Sequence, residues 1–314
     1  MFERSKPKRL RPGMRIGVVA PSSPVLERSR IDRGVARLER LGFQVVLGEH
    51  ALDSYGYLAG QDSDRAADLL QMLEMEHVDA VMCLSGGYGA IRTVAALDLP
   101  RLRRLCGRAP IPFIGYSDIT VLHAVLRREL GWTTFYGPML SSFARPTEYT
   151  LAAFQRALME TEPFEILPDP EDPYTRTVVP GEAEGELVGG CLSLLVSLMG
   201  TPWEMETEGR ILFFEDVHEE PYRVDRMLSQ LLAAGVLQKC AGIVIGEHVA
   251  CAPTTGNSLG LEQVFEDLIR PLGIPTLYHL PVGHGRGLAT LPLGIRARLD
   301  ATNRQLRTVG PGVL

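Results

Sequence analysis

The sequence lacks the features that would place it among membrane, exported or nucleic-acid-binding proteins. No window of the 314 residues approaches the ~18 uninterrupted apolar residues of a membrane span. The apolar run at residues 16–20 is shorter than the ~7–15 residues of a signal-peptide core. The 38 Asp and Glu outnumber the 32 Lys and Arg, and the net charge of -6 gives no overall attraction to phosphate backbones or anionic lipid. We therefore expect a cytoplasmic protein whose partners include neither nucleic acid nor membrane.

The sequence also lacks the common motifs for metals and nucleotides. Its 5 Cys are widely spaced with no C-x-x-C pair, which fits a reducing compartment and excludes a disulfide framework or a zinc knuckle. It has neither the H-E-x-x-H nor the H-x-x-E-H spacing of zinc enzymes. It likewise has no G-x-G-x-x-G motif and no P-loop Lys-Ser/Thr. We expect neither a metal nor an organic cofactor.

Short apolar runs alternate with helix-period segments in the first half of the chain. The apolar runs are residues 16–20, 44–47, 80–84 and 112–115, and the helical segments between them are 28–41, 63–76 and 90–97. Because strands that alternate with helices pair in parallel, this order predicts an α/β domain with a parallel sheet covered by helices on both faces.

The alternation fades after residue 143, and a Pro-rich and acidic stretch follows a helical segment near 149–159. Such a stretch is typical of an exposed linker. Beyond it, strand-like runs and helix patterns resume; they cover residues 211–214, 223–234, 242–245, 261–269 and 276–280. We expect an N-terminal domain over residues 1–165, a linker over 166–185 and a smaller α/β domain over 186–314.

Ser117 stands where an apolar strand turns into a helix, in Gly115-Tyr116-Ser117-Asp118. A serine at such a turn projects its hydroxyl above the sheet edge, near the free N–H groups of a helix N-terminus, as a nucleophile requires. Ile119 replaces the second Gly of the G-x-S-x-G signature of α/β-hydrolases, so the α/β-hydrolase fold is not supported. The alternative is that Ser117 and Asp118 only cap the helix.

A glycine-rich loop, Gly86-Gly87-Tyr88-Gly89, follows another apolar strand. Glycines at a strand's carboxyl end let backbone N–H groups approach a ligand and supply oxyanion donors. The alternative is a tight turn that needs positive φ. Because open α/β folds place their sites at strand carboxyl ends, this loop and Ser117 predict one site.

Two further segments supply acids and a histidine. Glu215 ends an apolar strand in Glu215-Asp216-Val217-His218, where a carboxylate can orient an imidazole. The alternatives are that the acids of this segment, above all Glu219 and Glu220, pair with Arg223 and Arg226 or lie at a helix N-terminus, or that a carboxylate and a His form a metal site. His284 lies between Gly283 and Gly285, which suits exposure in a cleft and a role as general base. We expect His123, in a helix pattern, and His279, in a strand, to be packing residues.

Taken together, these motifs resemble the LD-carboxypeptidase family of serine peptidases, which includes muramoyltetrapeptide and microcin-immunity carboxypeptidases. The resemblance runs nearly end to end, through Ala20-Pro21-Ser22-Ser23, Gly86-Gly87-Tyr88-Gly89, Gly115-Tyr116-Ser117-Asp118, Gly189-Gly190, Gly200-Thr201-Pro202, Glu215-Asp216, Pro221-Tyr222-Arg223 and Gly283-His284-Gly285. It implies a Rossmann-like N-terminal domain, a C-terminal α/β domain and an active site in the cleft between them. It also implies a homodimer.

For the site, the resemblance implies a triad of Ser117, His284 and Glu215. By analogy with nucleophile elbows, the N–H groups of Gly87 and Asp118 are the oxyanion-hole candidates. Gly86, Tyr88 and Arg223 are candidates for substrate binding. Arg92 and Arg286 are further candidates for the substrate carboxylate. The sequence departs from the family pattern at two positions: Ser85 stands where Arg is common and Cys191 where Asn is common.

The resemblance implies a small peptide substrate. In one branch the substrate is a cell-wall tetrapeptide that loses its terminal D-Ala from the L-configured centre of diaminopimelate; in the other it is a peptidyl-nucleotide or an acyl-sulfamoyl adenylate. Two other classes are disfavoured. A glutamine-amidotransferase-like enzyme would need a Cys nucleophile at a strand-to-helix elbow, and no Cys of this sequence occupies one. A ligand-binding module without catalytic activity has no reason to keep Ser, Glu and His together.

Overall fold

A computed structural model describes residues 5–254 and 256–314, which divide into two compact units. Unit 1 comprises the residues up to Thr161 together with Thr290–Pro292 and Gly312–Leu314. Unit 2 comprises Glu162–Ala289 and Leu293–Pro311.

Unit 1 contains a six-stranded sheet with helices in the connections. Its strands are β1 (Arg15–Val19), β2 (Gln44–Leu47), β3 (Ala80–Cys83), β4 (Phe113–Gly115), β5 (Thr134–Tyr136) and β12 (Leu291–Leu293), in the spatial order β12-β5-β4-β3-β1-β2. Its helices are α1 (Arg28–Arg40), α2 (Asp62–Glu74), α3 (Ala90–Ala95), α4 (Leu99–Arg103), α5 (Thr120–Leu130) and α6 (Glu148–Met159). Strands β1 to β5 pair in parallel, which confirms the parallel sheet expected from the sequence.

The local sequence explains these elements. Strands β3 and β4 are buried along their whole length, as is usual in a parallel sheet covered on both faces, so they read as continuous apolar runs. Helix α5 ends at Gly131, whose φ of 69° is the left-handed conformation that glycine adopts most readily at a helix C-terminus. Because β1 to β5 are all parallel, these five strands deliver their carboxyl ends, and the loops that follow, to one edge of the sheet.

Unit 2 contains an eight-stranded mixed sheet. Its strands are β6 (Glu165–Ile166), β7 (Arg176–Val179), β8 (Glu182–Cys191), β9 (Ile211–Val217), β10 (Gly242–Val249), β11 (Thr276–Leu280), β13 (Arg296–Asp300) and β14 (Gln305–Thr308), in the order β6-β14-β13-β8-β9-β10-β11-β7. Its helices are α7 (Leu192–Ser197), α8 (Pro221–Ala233) and α9 (Leu261–Leu268). Strands β8 to β11 pair in parallel at the centre, and antiparallel strands flank them on both sides.

The segment expected to be a linker, residues 166–185, lies in unit 2 and carries β7 and the start of β8. Strand β7 pairs with β11 and β8 pairs with β13, and the first residues of β8 alternate between exposed and part-buried positions. Except for the buried Asp169, the acidic side chains of this segment are exposed, which gives the stretch a polar composition although it belongs to a sheet.

Among the residues that the structure describes, no helix has both the length and the apolar character that crossing a bilayer requires.

Candidate active site

The strand-to-helix turn after β4 holds Ser117 in a strained backbone conformation. Its φ is 65°, which non-glycine residues rarely adopt because the Cβ approaches the backbone. The Ser117 N–H donates to Tyr136 Oη at 3.0 Å, and Thr120 Oγ1 donates to the Ser117 carbonyl at 2.7 Å. Such strain, retained by surrounding hydrogen bonds, is a feature of nucleophile elbows.

The glycine-rich loop lies directly against this turn. A Cβ on Gly86 would stand 3.0 Å from Ser117 Cβ and 3.2 Å from Ser117 Oγ, so only glycine leaves the hydroxyl its space. Gly87 is exposed and has φ of 104°. Within residues 5–254 and 256–314, the structure gives no hydrogen-bond acceptor to the amide of Gly87 or to that of Asp118. Both amides are therefore available as donors.

A buried carboxylate connects the Ser117 turn to its neighbours. Asp118 is 2% exposed, and its Oδ2 accepts hydrogen bonds from Ser22 Oγ at 2.6 Å and from the Ala90 N–H at 2.8 Å. Burial raises the pKa of Asp118, while these two hydrogen bonds oppose the rise. The carboxylate thus ties the loops after β1, β3 and β4 together.

Arg65 on helix α2 completes this network. It is 2% exposed and donates to the carbonyls of Pro21 at 2.8 Å and Gly89 at 2.9 Å. It also donates to Thr93 Oγ1 at 2.7 Å and pairs with Asp62. Local sequence does not reveal the roles of Arg65 and Ser22, because the partners of each side chain lie far from it along the chain.

In unit 2, Glu215 and His284 form a close pair. Glu215 is fully buried near the end of β9, and its Oε2 lies 2.7 Å from His284 Nδ1. A carboxylate at Nδ1 fixes the tautomer and the orientation of an imidazole and leaves Nε2 to act on a proton. The loop glycines allow this contact, since a Cβ on Gly283 would stand 2.7 Å from Glu215 Cδ and one on Gly246 would stand 2.9 Å from Glu215 Cβ.

The arginines considered for the substrate carboxylate all have acidic neighbours. Arg92 lies 2.8 Å from Asp62 and Arg286 pairs with Glu171, whereas Arg223 lies 3.7 Å from Glu219. The Arg223 guanidinium lies over the Tyr222 ring at 5.8 Å.

Two other candidates lie at the surface. Tyr88 is 47% exposed, with its ring centroid 5.8 Å from that of Tyr57. His218 is exposed with φ of 59°.

Cys191, at the family's usual Asn position, is buried beside the carboxylates of Glu215 and Asp216. In the parallel pairing of β8 with β9 it lies opposite Glu215, and its Sγ is 3.4 Å from Asp216 Oδ1. Burial, with the nearby carboxylates of Glu215 and Asp216, raises the pKa of this thiol well above its usual value. The thiol therefore stays protonated and is a poor nucleophile.

Each of the two units matches a known domain family. The LD-carboxypeptidase N-terminal domain matches residues 16–137, and the LD-carboxypeptidase C-terminal domain matches residues 184–299. The chain belongs to the LD-carboxypeptidase family. This confirms the resemblance drawn from the motifs, and family membership makes the protein a serine-type carboxypeptidase.

Individual relatives match nearly end to end. A probable murein peptide carboxypeptidase of Bacillus subtilis is 43% identical over 95% of this chain and 92% of its own length. The crystal structure of a muramoyltetrapeptide carboxypeptidase from Oxalobacter formigenes has a TM-score of 0.79 at 30% identity, covering 94% of this chain and 97% of its own. The structure of MccF in complex with glutamyl sulfamoyl guanosine has a TM-score of 0.90 at 25% identity, covering 98% and 99%. These neighbours confirm the expected α/β fold class.

Proposed function

We propose that this protein removes the terminal D-Ala from muropeptide tetrapeptides by hydrolysing an L,D-amide bond, with Ser117, His284 and Glu215 as its catalytic triad. The observation that carries the proposal is the 2.7 Å contact between His284 Nδ1 and buried Glu215. This pair is the base and the orienting acid of a serine hydrolase. The strained turn in unit 1 supplies the matching nucleophile.

The reaction follows from the roles of these groups. His284 takes the proton of the Ser117 hydroxyl, and Oγ attacks the carbonyl carbon of the terminal amide. His284 then gives that proton to the departing nitrogen of D-Ala, which leaves an acyl-enzyme on Ser117. Water, activated by the same imidazole, breaks the ester and restores the serine. Glu215 stabilises the imidazolium at each stage.

The oxyanion of each tetrahedral intermediate needs donors that are in place before the reaction. We assign them to the amides of Gly87 and Asp118, because both have free N–H groups in the described part of the chain and flank the Ser117 turn. The buried contacts of Asp118 and Arg65 hold these loops, so little reorganisation accompanies charge development.

Substrate binding is assigned to Gly86, Tyr88 and Arg223. Gly86 leaves room beside Ser117, and Tyr88 offers an exposed ring on the same loop. Arg223 is our choice for the terminal carboxylate, since its 3.7 Å separation from Glu219 is the loosest of the three arginine pairs considered. A guanidinium can bind a carboxylate through two parallel hydrogen bonds.

A second candidate function is hydrolysis of a peptidyl-nucleotide or acyl-sulfamoyl adenylate. The observation that favours it is the TM-score of 0.90 to MccF, a microcin C7 self-immunity protein. The 43% identity to a murein peptide carboxypeptidase favours the muropeptide instead.

One assay separates the two substrates. The purified protein is incubated with a muramoyl tetrapeptide and, separately, with a glutamyl sulfamoyl adenosine, and the products are identified by mass spectrometry. We expect release of D-Ala from the tetrapeptide and little change in the sulfamoyl compound. Cleavage of the sulfamoyl compound alone would assign the protein to the second function, and the Ser117→Ala variant controls for contaminating hydrolases.

A further inference from the structure

A second group of polar side chains lies in unit 2, and the proposed hydrolysis does not use it. Asp172, Glu247 and His279 each offer one ligand atom, and these atoms all lie within 4.8 Å of one another. The His279 Nε2 atom is 3.1 Å from Asp172 Oδ2. One imidazole nitrogen with two carboxylate oxygens is a donor set that proteins use for transition-metal cations.

The sheet itself directs His279 toward the acids. In the pairing of β10 with β11, Ile245 lies opposite Tyr278 and Gly246 lies opposite Leu280, so His279 is the extra residue of a β-bulge. Its φ of 63° is left-handed. Bulges re-aim side chains and are frequent beside functional sites. His279 packs against the rings of Tyr174 and Tyr278, with centroid separations of 5.4 Å and 5.6 Å, as expected of a packing residue, and the bulge adds its contact with Asp172.

Glu247 is the buried member of this cluster. It is 6% exposed, and within the described residues its Oε2 has no hydrogen-bond partner. A buried carboxylate oxygen without a hydrogen-bond partner can accept a cation, and the ligand atoms of Asp172 and His279 lie within 4.8 Å of the one that Glu247 offers.

We propose that Asp172, Glu247 and His279 form a binding site for one divalent cation of the Zn²⁺ type. The imidazole selects against Mg²⁺, which prefers oxygen ligands alone and retains several waters. Three protein ligands leave a coordination position for water. Asp172 has a side chain 52% exposed, so it can close on an ion while Glu247 and His279 stay in place on the sheet.

The site is connected to the segment that carries His284. The Glu247 N–H donates to the Val282 carbonyl at 3.1 Å, and the Glu247 carboxylate accepts from the Gly285 N–H. An ion on Glu247 would hold this segment on both sides of His284. Its role is structural, and no step of the hydrolysis passes through it.

The three ligands come from separate parts of the chain, at positions 172, 247 and 279. For that reason no metal-binding spacing is present in the sequence, and the expectation of no metal rested on spacing alone.

Titration calorimetry with ZnCl₂ and with MgCl₂ tests the site on the full-length, metal-stripped protein. We expect one equivalent of Zn²⁺ to bind and Mg²⁺ to bind far more weakly. We also expect the melting temperature to rise by about 5 °C or more at a Zn²⁺ concentration 100 times the dissociation constant. His279→Ala and Asp172→Asn should each weaken Zn²⁺ binding at least 10-fold.

The matched control is His50→Ala. His50, Asp53 and Asp64 form the other group of potential ligands found among the described residues, and it lies in unit 1 at the surface. This variant should bind Zn²⁺ as the unaltered protein does. Asp172→Asn changes a half-exposed side chain and should fold, so it keeps the test valid if His279→Ala is unstable. No Zn²⁺ binding, or equal affinity in Asp172→Asn and the unaltered protein, would overturn the proposal.

Discussion

Replacing Gly283 by alanine perturbs the Glu215–His284 pair without removing either residue. Gly283 has φ of 123°, a conformation in which a side chain costs about 1–3 kcal/mol. The new Cβ would stand 2.7 Å from Glu215 Cδ, and crowding of this kind in a packed interior costs about 1–3 kcal/mol more. We expect the free energy of unfolding to fall by about 2–6 kcal/mol.

The same crowding also lowers the catalytic rate. To restore ordinary contact at 3.4 Å, Glu215 Cδ must retreat by about 0.7 Å, and Oε2, which lies closer still to the new Cβ, must move further; this weakens the 2.7 Å hydrogen bond from Oε2 to His284 Nδ1. A misplacement of about 1 Å in a catalytic group can cost roughly 10²-fold in rate. We therefore expect kcat for D-Ala release to fall about 10²-fold or more, measured by mass spectrometry at saturating tetrapeptide.

Gly273→Ala is the matched control in the same unit. Gly273 has φ of 65° but no atom within 4 Å of its added Cβ. This variant should lose about 1–2 kcal/mol of stability and retain its kcat. Equal turnover rates in folded Gly283→Ala and Gly273→Ala would refute an effect of crowding at Glu215 on catalysis.

Four further outcomes are expected. Ser117→Ala should fold normally and lose at least about 10³-fold in kcat, and near-full activity in this variant would refute the serine mechanism. His284→Ala and Glu215→Ala should both slow turnover, with Glu215→Ala the milder, and neither should add to the Ser117→Ala defect, because the three act as one unit. Arg223→Gln should raise KM more than it lowers kcat, and an unchanged KM would remove this residue from carboxylate binding. Burial lowers the pKa of His123 to about 4, so the folded state favours its neutral form. The stability that this gives is fully present above pH 6.5, and about 3 kcal/mol of it is lost as the pH falls from 6.5 to 4. Denaturant titrations of His123→Gln should not show this loss.

The sequence was most informative where structure follows from local pattern. Apolar runs marked β1, β3 and β4 because buried parallel strands are apolar along nearly their whole length, and a shorter run marked the part-buried edge strand β2. Glycine and turn chemistry marked the loops around Ser117 and His284, since positive φ and close approach restrict these positions to few residue types.

The features that escaped prediction depend on partners distant in sequence. The first half of strand β8 is polar and has the composition of a linker, because its residues are exposed or part-buried where they pair with β13. The pairing of β12 with β5 joins residues near 291 to residues near 135, which no local pattern encodes. Arg65 was also missed, because a buried arginine is identified by the carbonyls around it and not by its neighbours in the chain.

The central claim is that Ser117 of unit 1 works with His284 and Glu215 of unit 2. The most direct test is a crystal structure of the protein bound to a phosphonate analogue of the tetrapeptide, in which the separation of Ser117 Oγ and His284 Nε2 is measured. We predict about 2.6–3.2 Å, the range a nucleophile and its general base require. A separation beyond about 6 Å in that ligand-bound structure would contradict the assignment, because proton transfer needs hydrogen-bond contact or a single intervening water.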